Sequence, residues 1–240
     1  MKNKRKSFAP GTLLSPLPPA MVTVGDFENA NILTIAWTGI LATQPPKTYI
    51  SVRPSRHSYG ILKEKGEFVI NLPSVSLAKE TDYVGIYTGA KVDKWEKTGL
   101  SKARSEKVGA PTIAECPVAL ECRVCEVIPM GSHDVFMADI LSVSCRDDII
   151  DEKGKMRFDK ADLLAYAHGE YYSLGEVVGR FGFSTDKPGK VEPKAKTATA
   201  VEKKPFYESA PRGKSTKKPS ERKRTSDKNK GAPHGRRTKK

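Results

Sequence analysis

Apolar residues along this chain gather in short runs rich in Val, Ile, Leu, Thr and Phe, with turn-forming residues between them. Ala20 to Val24 and Ile32 to Ile40 read as strands, separated by the turn-like Gly25-Asp26-Phe27-Glu28-Asn29-Ala30-Asn31. Thr48 to Val52 follows Pro45-Pro46. Proline has no amide to give to a ladder, so the pair marks the start of a strand rather than its middle. Ser58 is placed to cap a short helix over Tyr59 to Lys65, Gly66 stops it, and Glu67 to Leu72 returns as a strand.

Two more short helices fit Ser76 to Gly85, capped by Ser76, and Asp93 to Thr98, ended by Gly99. The strongest β signal is the pair Val118 to Val127 and Asp134 to Cys145, joined by Ile128-Pro129-Met130-Gly131-Ser132-His133, which predicts a long antiparallel hairpin. Asp159 to Leu164 fits a short helix, and Tyr166 to Phe183 is Gly- and Tyr-rich and irregular. Strands do not alternate with long helices, which argues against a doubly wound sheet. The pattern predicts a mainly β (α+β) chain, an antiparallel barrel with short helical inserts. No internal repeat is present.

Charge then divides the chain. Residues 187–240 carry 19 Lys and Arg against 5 Asp and Glu, which is the whole formal excess of +14; residues 1–186 are balanced at 23 of each sign. The sequence pI of about 9.6 therefore describes the tail and not the folded part. Between Lys187 and Lys240 the large apolar side chains are Val191, Val201, Phe206 and Tyr207, too few to offset the entropy of ordering. The expected organisation is a domain over residues 1–186 and a basic disordered tail over 187–240. Clusters such as Glu221-Arg222-Lys223-Arg224 and Arg236-Arg237-Thr238-Lys239-Lys240, with few aromatics, suit contact with nucleic-acid phosphates without base readout. A merely solvated tail is the plainer reading.

The N-terminus MKNKRKSFAPG lacks the apolar stretch of a signal peptide, and no run of about 18 apolar residues suggests a membrane span. The expectation is a cytoplasmic protein with Cys116, Cys122, Cys125 and Cys145 reduced and mostly buried. Cys122 and Cys125 form a lone C-x-x-C, but their odd spacing on a strand turns them to opposite faces, which argues against a redox dithiol. No paired Cys/His frame calls for a metal. The glycine-rich loops that usually cradle nucleotide phosphates are also absent.

One segment stands out chemically. Ser51-Val52-Arg53-Pro54-Ser55-Arg56-His57-Ser58 puts two arginines, a histidine and three hydroxyls at a strand-to-helix turn. Guanidinium forks, hydroxyl donors and the amides opening a helix together suit a phosphate dianion. A solvated basic loop is the alternative.

In chain order, Ala30-Asn31-Ile32-Leu33-Thr34-Ile35-Ala36-Trp37-Thr38-Gly39, Pro45-Pro46, Ile50-Ser51-Val52-Arg53, Arg56-His57-Ser58, Asn71-Leu72-Pro73-Ser74, Asp93-Lys94-Trp95, Gly131-Ser132-His133-Asp134 and Gly169-Glu170-Tyr171-Tyr172 resemble the flavoredoxin-type flavin reductases. The likeness runs over about residues 10–183. It implies a Greek-key split β-barrel that binds FMN at a homodimer interface and takes hydride from NADH or NADPH. It implies too that Thr34 and Trp37 line the isoalloxazine, and that Ser51, Arg53, Ser55, Arg56 and His57 serve the ribityl phosphate end. Lys94 would come near the flavin. His133, as an orienting group for donor or flavin, and Tyr172 would approach from a facing subunit or the barrel end. Plainer roles stand beside these: Trp37 as core, Lys94 as a solvated first-turn residue, His133 as a turn residue. Tyr171 and Tyr172 point opposite ways in an extended chain, so at most one of them touches a ligand. Asp134 stands where the family more often has Thr, which puts the reductant in question more than the cofactor. The rival reading is an FMN electron carrier reduced by a protein partner.

Overall fold

The computed structural model describes residues 5–185. Its elements run β1 (Ala20–Val24), β2 (Asn31–Ile35), β3 (Thr38–Thr43), β4 (Pro46–Val52), α1 (His57–Lys65), β5 (Glu67–Leu72), α2 (Ala78–Ile86) and α3 (Lys94–Thr98). The short strands β6 (Lys102–Ala103) and β7 (Thr112–Ile113) follow, then the long β8 (Val118–Pro129) and β9 (Asp134–Cys145), and finally β10 (Leu164–Ala167) and β11 (Glu170–Ser173).

Seven strands make one sheet in the order β2-β1-β5-β8-β9-β4-β3, and every registered pair is antiparallel. The order places β2 and β3 at opposite edges, although only Ala36 and Trp37 separate them in the chain. Laid flat, six strand spacings would hold those edges roughly 29 Å apart. The short link can span at most about 11 Å. The sheet must therefore curl until its edges meet, which makes a barrel split along the β2–β3 seam. Ser51 N–H donates to Trp37 O at 2.9 Å and ties β4 to that seam.

Strand alternation explains why β1 is buried on both faces. Ala20, Val22 and Val24 turn into the barrel with Leu33, Phe68 and Phe136, and Leu62 of α1 packs with them. Met21, on the other face, packs with Ile32, Val84 of α2, Trp95 of α3 and Ile113. Each fully buried side chain of this size contributes about 1.5–3 kcal/mol. Truncating Phe68, fully buried at the barrel's centre, would cost about 3–5 kcal/mol. The helix stops agree with the sequence: Gly66 and Gly99 adopt φ of 64° and 69° after α1 and α3. Asp93 caps α3 by accepting from Trp95 N at 2.9 Å and Glu96 N at 3.1 Å.

Several expectations are corrected. The single strand over Ile32 to Ile40 is two, broken at Ala36-Trp37. Ser58 does not cap α1; the residue before that helix is Arg56, and the Ser58 hydroxyl is buried, accepting from Asn31 Nδ2 at 2.7 Å. Ser76 caps nothing, because a 3-10 turn over Val75–Leu77 precedes α2 and Ser76 Oγ pairs with Ser74 Oγ at 2.8 Å. The helix expected over Asp159 to Leu164 is a 3-10 turn at Phe158–Lys160, with Leu164 already opening β10. The stretch read as irregular from Tyr166 contains the β10–β11 hairpin, turned by His168 and Gly169 at φ of 50° and 92°. Cys122 is buried and Cys125 exposed, as their spacing implied, but Cys145 is only half-buried. The domain boundary at 186/187, the disordered tail and its nucleic-acid contact lie outside the described residues. Among the described residues, no helix is long and apolar enough to cross a membrane.

Candidate functional site

The seam of the barrel holds a cleft of about 310 Å³, within the size range of small-molecule sites. The strand β2 gives it Leu33, Thr34 and Ile35, and the link gives Ala36 and Trp37. Ser51, Val52, Arg53 and Arg56 come from the end of β4 and the turn after it, and His133 from the β8–β9 tip. The helix α2 adds Asp82, Gly85 and Ile86, and the last hairpin adds Tyr166 and Tyr171. A second cavity of about 70 Å³ shares Leu33, Thr34, Arg56 and Gly85 with the cleft and is lined further by Ser55, His57, Ser58 and Lys94.

The charged groups around these spaces are mostly cationic: Arg53, Arg56 and Lys94 stand against the single carboxylate of Asp82. Among the described residues, neither Arg53 nor Arg56 forms an ion pair with a carboxylate. Arg56 Nη1 lies 3.5 Å from Gly85 O, at the limit of a hydrogen bond. Burial, with help from Arg53 and Arg56, lowers the His133 pKa, so the ring is more often neutral than an ordinary histidine. Its Nδ1 lies 3.0 Å from Ser132 Oγ.

Lys94, the first residue of α3, is 4% exposed, and its ammonium donates to Ile32 O at 2.6 Å and Val84 O at 2.7 Å. Desolvation, reinforced by the Arg56 charge, pushes its pKa down to about 8. Two carbonyls take two of its three protons. A buried ammonium beside a second cation and a polar cavity is a setting that an anion would stabilise.

Glycine and asparagine shape the smaller cavity. Asn31, at the start of β2, holds Ser58 of α1, and a Cβ at Gly89 would lie 2.2 Å from Asn31 Oδ1. The loop after α2 can therefore approach Asn31 only because residue 89 has no side chain. Thr34 donates its hydroxyl proton to Thr81 O, which fixes β2 against α2. Trp37 is 42% exposed, so it is no core residue but an indole left at the rim of the cleft.

Of the residues singled out from the sequence, Thr34, Trp37, Ser51, Arg53, Arg56 and His133 meet in the cleft. Ser55, His57 and Lys94 meet with Thr34 and Arg56 in the smaller cavity. Tyr172 lines neither; it is 47% exposed, with its hydroxyl bonded to Glu170. Strand alternation selects Tyr171 instead. Asp134, the departure noted above, accepts from the Tyr59 hydroxyl of α1 and does not line the cleft. Sequence reasoning missed Asp82, Tyr166, Gly85 and Ile86. Nothing in their local pattern marks them, since they become neighbours only when α2 and the last hairpin pack over β2.

An antiparallel barrel split at one seam is the split-barrel fold, and solved flavin proteins share it. Residues 13–175 match the family model described as the flavin reductase like domain, and the chain belongs to that family. The flavoredoxin of Desulfovibrio vulgaris (Miyazaki F) is similar at 31% identity and a TM-score of 0.71, over 76% of this chain and 100% of that one. The FMN-binding protein of Thermus thermophilus is similar at 26% identity and a TM-score of 0.61, over 75% and 99%. An NADPH-flavin oxidoreductase of Streptomyces viridifaciens is 25% identical over 128 residues, 52% of this chain and 65% of that one.

Proposed function

We propose that this protein is an FMN-dependent oxidoreductase that takes electrons from NADH or NADPH and passes them to an acceptor. The observation that carries the reading is the pair of neighbouring cavities that share Leu33, Thr34, Arg56 and Gly85, with Arg53 on one and Lys94 on the other, none of these three cations ion-paired to a carboxylate among the described residues. A planar ring system in the larger space and a phosphate toward Arg56, Ser55, His57 and Lys94 would match the chemistry of both. The names of the similar flavin proteins support the same cofactor.

Bound flavin would supply hydride acceptance, the part of the reaction that no side chain can perform. The protein's residues bind and orient. Arg53 and Arg56 counter the phosphate charge, Thr34 and Trp37 border the ring, and His133 stands at the mouth as a largely neutral orienting group for donor or flavin. The apolar groups exposed on the edge strand β3 and at the hairpin tip, Ile40 at 66%, Leu41 at 45% and Met130 at 66%, suit cover by a second copy of the chain. A homodimer is part of the proposal, and sedimentation equilibrium tests it.

The similarity to flavoredoxin favours a second reading, an FMN electron carrier reduced by a protein partner. One experiment separates the two. The FMN-loaded protein is mixed anaerobically with NADPH or NADH and the visible flavin band is followed. Rapid bleaching supports the reductase. A stable yellow species that dithionite still bleaches supports the carrier, and failure to retain FMN contradicts both.

A further inference from the structure

At the mouth of the cleft, α2 and the β10–β11 hairpin meet through one side-chain bond: the Tyr171 hydroxyl donates to Asp82 Oδ1 at 3.3 Å. Both residues line the cleft, as does Tyr166, whose ring stands edge-on to Tyr171 with centroids 5.5 Å apart and planes at 61°. Burial and the neighbouring carboxylate raise the Tyr171 pKa to about 12, so the hydroxyl keeps its proton near neutral pH. That one proton is given to Asp82. What the pair offers a ligand is therefore oxygen lone pairs and a negative charge, with no donor. Asp82 is the sole carboxylate among the residues lining the cleft, where the fixed charges are otherwise Arg53 and Arg56.

Two chemistries thus share one space. The guanidiniums favour an anion, and an acceptor-only anionic pair favours N–H donors and opposes a carboxylate. Trp37, Tyr166 and Tyr171 add ring surfaces on which a planar ligand can lie. We propose that Asp82 and Tyr171 form the subsite that selects the redox partner, accepting an aromatic ring with a neutral primary carboxamide and rejecting its carboxylate counterpart. The inference rests on the flavin reading above, because the cofactor's phosphate is what neutralises Arg53 and Arg56 and leaves Asp82 as the deciding charge.

Isothermal titration of the full-length protein with nicotinamide and with nicotinate, with and without saturating FMN, tests it. In the FMN-loaded protein nicotinamide binds about tenfold more tightly than nicotinate, and in the FMN-free protein the order reverses because the arginines are open. Asp82→Asn, an isosteric change at an exposed position, abolishes the loaded preference. Tyr171→Phe narrows it. Both variants keep their FMN affinity within about twofold, as no phosphate contact is lost. Equal binding of the two probes by the loaded wild type, or an undiminished preference in Asp82→Asn, overturns the proposal. A large loss of FMN affinity in Asp82→Asn also overturns it, since the carboxylate would then belong to the flavin's own seat. Failure of the wild type to take up FMN sinks the flavin reading instead. The same titrations with inorganic phosphate covering the arginines then decide the subsite by whether Asp82→Asn removes the preference.

Discussion

Two charged side chains are buried among the described residues, Glu121 and Lys94, and they serve different ends. Glu121 of β8 is 2% exposed, and its carboxylate accepts from Glu106 N at 3.0 Å and Lys107 N at 2.6 Å. Lys94 is 4% exposed and donates to two carbonyls. Both are satisfied by main-chain groups, as buried charges must be. Glu121 borders neither cavity and faces amides only, so it fastens the loop after β6 to the sheet. Lys94 borders a cavity, has a second cation nearby and has one proton left to give. A buried charge on its own says nothing of function; the space and the charges around it decide.

Glu121→Ala strands two amides and should cost about 2–3 kcal/mol in urea unfolding, with FMN affinity of the folded protein unchanged. Lys94→Met should do the reverse in emphasis. It should weaken FMN about thirtyfold, equivalent to about 2 kcal/mol, while riboflavin, which lacks the phosphate, loses much less in the same fluorescence titration. Equal losses for the two ligands would make Lys94 a fastener like Glu121.

Gly89→Ala pushes a methyl against Asn31 Oδ1, so the loop or Asn31 must move. We expect a loss of about 1–2 kcal/mol in stability and a several-fold loss of FMN affinity, read by thermal unfolding and titration. The smallest effect is in pH. With the Lys94 pKa near 8 in the fold against 10.5 for an ordinary lysine, the unfolded chain binds more protons between those values. The ligand-free protein should therefore gain stability as pH rises from 8 to 10.5. FMN affinity should fall several-fold over the same window, because the ammonium loses its proton. Parallel trends in stability and affinity would contradict the assignment.

The barrel was legible in the sequence because its signals are local: prolines at the start of β4, glycines after α1 and α3, and a long alternating pair for β8 and β9. The misses share a cause. Ile32 to Ile40 reads as one apolar run, and its break at Ala36-Trp37 comes from the sheet edges meeting, which no local pattern records. Ser58 looks like a cap by composition but is taken by Asn31, 27 positions away. The last hairpin turns on a histidine with positive φ, a position more often marked by Asn or Gly. For the site, the Arg53 to Ser58 cluster was visible because its chemistry is contiguous. The choice of Tyr171 over Tyr172 needed the register with Tyr166, and Asp82 needed the packing of α2 on β2.

In the proposed function the two cavities hold a flavin by its phosphate, with Arg56 lining both. The most direct measurement is the dissociation constant of FMN and of riboflavin for the wild type and for Arg56→Ala, by quenching of flavin fluorescence. The wild type should prefer FMN by about a hundredfold or more, and Arg56→Ala should shrink the preference by about tenfold while riboflavin is held nearly as before. A wild type indifferent to the phosphate, or an Arg56→Ala variant that weakens both ligands by the same factor, would contradict it.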